Sequence, residues 1–347
     1  MMRLFRRLTA LMLAVLLLTA GVGAAQKNGT GFSDVPEDHW AAQSVRWCAK
    51  YGLMNGIGGG KFGLGQTMTR AAYALTLCRL MGWELVAPDK GSFTDNQDAG
   101  KWYYSAIETA YAHGALTGES RLCRPDDAVT REEMAMMTVR ALGFGVLSGA
   151  AAADCPFTDV SVARGYIALA YRMGIIKGVS RYSFEPKATA TREQAAAVLL
   201  RAYDRLHAAL TLDYVEGLPE GSAAAESITD TTGSVPVSPR APLENVYAAA
   251  CRAGEGGSVT LCTSALEQTT RGGVVTDSRT LTAEELSALL TAGGARTHRS
   301  EQHRSSCLYR AEKDGSVVTV WYESAADVME KLELCRLLGV SAVYVIK

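Results

Sequence analysis

Thr191-Arg192-Glu193-Gln194 has two earlier versions in the chain, Thr130-Arg131-Glu132-Glu133 and Thr69-Arg70-Ala71-Ala72. The arginines at 70, 131 and 192 are spaced by 61 residues both times, and each Thr-Arg pair opens an apolar run. A period that regular marks a repeat array. The threonine suits a helix N-cap, where its hydroxyl accepts a bond from a free backbone N–H. Glu133 and Gln194 stand where the reciprocal half of a capping box belongs, whereas Thr69 faces Ala72 and lacks that partner. The arginine is not needed for capping, and a cation in the first turn opposes the helix dipole. Its recurrence there points to another partner.

Outward from these turns, each repeat reads the same way. It opens on Phe32-Ser33-Asp34, Phe93-Thr94-Asp95 or Phe157-Thr158-Asp159. A first helix follows, with apolar residues at helical spacing, as in Val45, Cys48 and Ala49. Gly52, Gly114 and Gly174 end these helices, where a left-handed C-cap fits. A loop rich in glycine and proline leads to the Thr-Arg pair. The second helix is apolar almost all round, as in Ala195 to Leu200, and so requires burial on several sides. One helix-loop-helix unit does not supply that burial; three second helices packed together do.

The chain has 347 residues, 48% hydrophobic and 20% charged, enough for two or three domains. A net charge of -1 and the absence of basic runs give no reason to expect nucleic acid. Arg3, Arg6 and Arg7 precede the apolar run Leu8 to Leu18, and small residues follow to Ala25. Residues 1–25 therefore read as a secretory signal peptide, with no stable membrane span after its cleavage. The eight cysteines of an exported chain invite disulfides. Cys48 and Cys78, however, lie inside apolar helical patterns and read as buried free thiols. No CxxC pair or histidine spacing supports a metal site, and no cofactor is expected.

The FSDV, FTDN and FTDV openings, the glycine-rich loops and the TRAA, TREE and TREQ turns together resemble a triple S-layer homology (SLH) module. The likeness covers repeats at 32–90, 93–150 and 157–207. It implies an all-α pseudo-trimer, three helix-loop-helix repeats around a central three-helix bundle, with grooves between repeats. Such grooves bind secondary cell-wall polysaccharide, often pyruvylated, and hold proteins non-covalently at the wall or S-layer surface of a Gram-positive-type bacterium. An arginine fork suits the carboxylate of a pyruvylated sugar. The ligand-binding candidates are accordingly Arg70, Arg131 and Arg192, with Trp40 and Trp102 for stacking and Gly58, Gly118 and Gly178 for close backbone approach. Repeat three has no matching tryptophan. A second reading has the tryptophans and arginines bracing the fold, the arginines to Asp34, Asp95 or Asp159.

Residues 208–242 are rich in Gly, Pro, Ser and Thr and read as a flexible linker. Residues 243–347 read as a small α/β domain. Its expected elements include helices from Leu243 and from Thr282, a hairpin at Asp314-Gly315 and a helix capped by Ser324. Val317 to Ile346 resembles the end of a glycoside hydrolase family 18 barrel, and Leu243 to Thr263 its seventh-strand region. The family's DxxDxDxE catalytic segment is absent from this sequence. Glu284, Glu285, Glu301, Glu312, Asp327, Glu330 and Glu333 read as solvated charges on helix faces or in turns. The expected role is thus envelope anchoring with a non-catalytic C-terminal module. The alternatives are a surface glycosidase acting on peptidoglycan or chitin-like glycan, and a module that binds glycan uncut or is a decayed fragment.

Overall fold

The structure, a computed structural model, describes residues 31–118, 121–215, 235–237, 242–292, 296–300 and 303–346. The expected signal segment lies outside them, as does Glu301. The chain divides into two compact units, one from Met1–Ala141 with Glu185–Leu200, the other from Leu142–Phe184 with Arg201–Lys347.

The first unit holds helices α1 (Ala42–Lys50), α2 (Arg70–Leu80), α3 (Tyr104–Ala112) and α4 (Arg131–Ala141). Gly52 and Gly114 follow the first and third at φ 67° and 72°, the left-handed C-cap expected there. Helix α2 buries Tyr73, Ala74, Leu77 and Cys78, and the Tyr73 hydroxyl meets Thr138 of α4 at 2.6 Å. The Cys48 thiol of α1 donates to the Ala196 carbonyl at 3.7 Å. The residues just before the three Thr-Arg pairs form a closed circuit of backbone bonds. Met68 N–H donates to Ala190, Ala190 N–H to Val129, and Val129 N–H to Met68, at 2.8–2.9 Å. All three residues are at most 1% exposed, so each N–H is satisfied only through the ring.

The second unit begins with α5 (Ser148–Ala151) and α6 (Arg164–Arg172), and takes in the end of α7 (Arg192–Leu206). Four parallel strands follow in the order β1-β9-β3-β2: β1 Thr211–Val215, β2 Val235–Val237, β3 Ser258–Cys262 and β9 Ala342–Ile346. Helix α8 (Leu243–Ala253) packs on β3, and on a later helix, α10 (Ala325–Leu337). Val259, Thr260 and Leu261 are consecutive and at most 2% exposed, so both faces of β3 are covered, as parallel strands require. Between β3 and β9 a five-stranded antiparallel sheet has the order β5-β4-β8-β7-β6. Its strands are β4 (Ala265–Arg271), β5 (Val274–Leu281), β6 (Arg296–Ser300), β7 (Ser305–Ala311) and β8 (Val317–Tyr322). Helix α9 (Ala283–Thr291) lays Leu286 and Leu289 against Ala265, Leu281, Leu308 and Val320.

The expected linker is therefore not free chain throughout. Thr211–Val215 pairs in parallel with β9, and Val235–Val237 with β3. The intervening residues lie outside those described. Within the same unit, the Tyr247 hydroxyl of α8 donates to Asp154 at 2.6 Å and Arg205 pairs with Glu255, just after α8, at 2.9 Å. All eight cysteines are free, and Cys48, Cys78, Cys123, Cys155, Cys307 and Cys335 are buried. Burial pushes the Cys48, Cys78 and Cys335 thiols up to about 12.

Candidate functional site

A helix leaves its first N–H groups without internal partners. In this chain the turn of a neighbouring repeat takes them up. Arg70 N–H donates to the Asp127 carbonyl, Arg131 N–H to Ala188 and Arg192 N–H to Gln66, each at 2.9 Å. Each Thr-Arg turn is thereby wired to the loop of another repeat, in a cycle. The threonines cap unequally. Thr130 and Glu133 exchange both bonds of a capping box. Thr69 accepts only from Ala72 N–H, and Thr191 N–H donates to Gln194 while its own hydroxyl is buried without a partner.

The arginine side chains reach the same loops. Arg192 Nε donates to the Phe62 carbonyl at 2.9 Å and Nη2 to the Asn55 carbonyl at 2.6 Å, with its guanidinium 4.8 Å from the Phe62 ring centre. The Phe62 N–H, on the other side of that residue, donates to Asp34 at 2.7 Å, and Gly63 and Leu64 N–H also bond that carboxylate. The second version substitutes Cys123 for Phe62. Its carbonyl accepts from Arg70 Nε at 2.9 Å and its N–H donates to Asp95 at 2.9 Å. In repeat three, Asp159 accepts from Phe184 N–H at 2.9 Å and from the Ser183 hydroxyl at 2.7 Å.

The carboxylates Asp34, Asp95 and Asp159 thus anchor their loops through backbone N–H groups. Burial pushes Asp34 up, but the N–H groups of Phe62, Leu64 and Gly63 outweigh it and hold the carboxyl below the usual range. Asp95 is held low in the same way, by Cys123 and Arg124 N–H against burial. Burial also lowers the Arg192 guanidinium, against Asp34 and Glu193, which favour its charge.

The expected site residues separate on this geometry. Arg70 is 5% exposed and pairs with Glu133 at 2.9 Å, a partner sequence reading did not single out; its guanidinium lies in a brace rather than on display. Arg131 and Arg192 are half-buried. Trp40 and Trp102 are 59% and 62% exposed, each two residues before its repeat's first helix. The same place in repeat three is Val162. Gly118 and Gly178 serve packing: a Cβ there would come within 2.4 Å of the Phe93 and Phe157 rings. Gly56, not Gly58, is their counterpart, with Phe32 2.7 Å away, whereas Gly58 faces open space at φ 99°. Sequence reading placed the first-repeat glycine two positions late because several glycines run together there.

The C-terminal carboxylates are also corrected in part. Asp327 is fully buried, not solvated: it accepts from Ser324, Ser306 and Arg299, and completes a capping box with Ser324. Glu323, at the end of β8, bonds Ser305 at 2.6 Å and pairs with Lys331 at 2.5 Å, where the side chains are 4% and 7% exposed. Neither Glu323 nor Lys331 was singled out, since neither stands in a pattern that announces burial.

The family model described as "S-layer homology domain" matches residues 31–74, 92–135 and 156–196. Similar curated proteins include an exoglucanase, XynX, of Acetivibrio thermocellus, 32% identical over 191 residues, 53% of this chain and 17% of that protein. An S-layer protein of Bacillus thuringiensis subsp. finitimus is 26% identical over 55% of this chain and 24% of its own length. A cellulosome-anchoring protein of Acetivibrio thermocellus is 30% identical over 42% of this chain and 33% of its own length. The chain therefore spans a third or less of these relatives. Among solved structures, the Bacillus cereus spore cortex-lytic enzyme SleL aligns with 42% of this chain and 34% of its own, at 14% identity and a TM-score of 0.24, too low to carry an assignment.

Proposed function

On the premise that this chain carries three S-layer homology domains, we propose that it is exported and held non-covalently at the bacterial envelope by binding an acidic, pyruvylated secondary cell-wall polysaccharide. The S-layer and cellulosome-anchoring relatives support a place at the cell surface. One observation carries the binding reading most: Trp40 and Trp102 hold large aromatic faces in water at matching positions of two repeats. Large apolar rings set singly on a surface are unremarkable, but an exposed tryptophan at the same place of two repeats, two residues before the first helix, offers a recurring platform for a sugar ring. The half-buried Arg131 and Arg192 supply the positive charge that an acidic sugar requires. Arg70 supports the platform from within.

The closed bond circuit through Met68, Ala190 and Val129 supports a pseudo-threefold arrangement in which the second helices form the hub. The C-terminal module, in this reading, is carried rather than catalytic. Glycoside hydrolysis needs a carboxylic acid presented to the leaving oxygen, and the buried carboxylates Asp327 and Glu323 are engaged by Arg299 and Lys331. Co-sedimentation with purified sacculi tests the anchor. The chain is expected to pellet with intact sacculi and to stay in solution when the secondary polymer has been stripped. Equal pelleting with both preparations overturns the proposal.

A further inference from the structure

Repeat three has Val162 where the others have tryptophan, and it is 84% exposed. Its loop has an exposed aromatic at a place where neither other loop has one. Ser33 N–H donates to the Gly60 carbonyl, Thr94 N–H to Arg121 and Thr158 N–H to Tyr182, at 2.8–2.9 Å. Gly60, Arg121 and Tyr182 are therefore the same place in three loops. Tyr182 is 56% exposed, and the Arg181 guanidinium lies 5.1 Å from its ring centre.

We infer that Tyr182 and Arg181 form the third repeat's saccharide platform, taking an acidic sugar of the same envelope polymer on a different element from the other two repeats. The inference rests on the anchoring function proposed above and names a further contact for it. The backbone beneath the ring is fixed on several sides. Thr158 N–H and hydroxyl both donate to the Tyr182 carbonyl, at 2.9 and 3.2 Å. The Ser180 hydroxyl accepts from Tyr182 and Ser183 N–H, and Ser183 in turn donates to Asp159. A ring held this way loses little freedom on binding, which is the main cost of using a surface aromatic. With a cation over one face, the opposite face offers a stacking surface, and the exposed guanidinium provides a fork for a carboxylate. Lys177, also exposed, adds positive charge on the same loop. An uncharged or basic saccharide lacks the complement to this pair.

The test uses the full chain and purified sacculi, with Trp40→Ala and Trp102→Ala already in place so that repeat three carries more of the binding. Adding Tyr182→Ala should weaken sedimentation affinity roughly tenfold further, and Arg181→Glu by a similar factor that shrinks in high salt. Val179→Ser, an exposed change on the same loop, should leave it unaltered. Thermal midpoints of all variants should match, which separates lost binding from lost folding. Unchanged binding in Tyr182→Ala, with the tryptophan changes still weakening it, overturns the inference and leaves the anchor standing. Failure of the unmodified chain to bind intact sacculi overturns both.

Discussion

Arg70 and Arg192 occupy equivalent places, and their surroundings assign them different work. Arg70 is sealed against Glu133 and the Cys123 carbonyl, and removing one partner of a buried pair strands the other charge. Arg70→Ala should therefore cost about 3 kcal/mol in urea unfolding, against about 1 kcal/mol for Arg192→Ala, whose bonds are to carbonyls at a half-exposed site. Equal costs would contradict the distinction. The carboxylates give a pH dependence. Asp34, Asp95 and Glu133 are half-buried groups whose hydrogen bonds and, for Glu133, whose neighbours Arg70 and Arg124 hold them below their ordinary values against the opposing effect of burial. Their stabilisation is complete above unfolded values of about 4 and is lost as pH falls through the lower folded values. The midpoint of the unit that holds these three carboxylates should be level from pH ~7 to ~5 and drop below ~4, and a rise of that midpoint on acidification would refute this. Glu323 behaves oppositely: burial raises it against the pull of Lys331, so its contribution declines as pH rises through the folded value. Lys331→Met alone should destabilise by about 3 kcal/mol, while Glu323→Leu with Lys331→Met should restore most of that loss.

At the scale of elements, the helices of the repeats were legible because their signals are local. Glycine stops, threonine caps and apolar periodicity each act within a few residues. What the Thr-Arg pairs contact was not legible, because those bonds run between repeats: Arg192 reaches Phe62, far away in sequence. The glycines behind the phenylalanines were seen as loop glycines, but their packing duty depends on a ring from elsewhere in the repeat. Gly118→Ala should cost about 2 kcal/mol, because the Phe93 ring must shift to admit the methyl, while Gly58→Ala is strained only by its φ. Denaturant titration of both variants checks the order. In the C-terminal domain the Asp314-Gly315 hairpin and both capping boxes were readable. Strands β4 and β5 were not, although Gly272-Gly273 between them is a hairpin signal, because the strand sequences are polar and β5 is exposed along nearly all its length. Strand β1 was hidden among linker-like residues for a different reason: its pairing partner lies at the far end of the chain.

For the whole molecule, the proposed function has several repeats each supply a modest contact, and linked sites gain affinity from high effective concentration. In that reading the repetition has a purpose: loss of one platform weakens retention, and each further loss weakens it more. Leu142–Phe184 and Arg201–Lys347 form one unit, within which Asp154 meets Tyr247 and Arg205 meets Glu255. Tyr247→Phe removes a partly buried bond to a carboxylate and should lower that unit's midpoint without changing polymer binding. The most direct measurement is titration of the full chain with soluble secondary polymer released from the wall, comparing the unmodified protein with the Trp40→Ala, Trp102→Ala double variant at matched thermal midpoints. The account predicts a dissociation constant at least about tenfold weaker for the double variant. Equal affinity in the two proteins would contradict it.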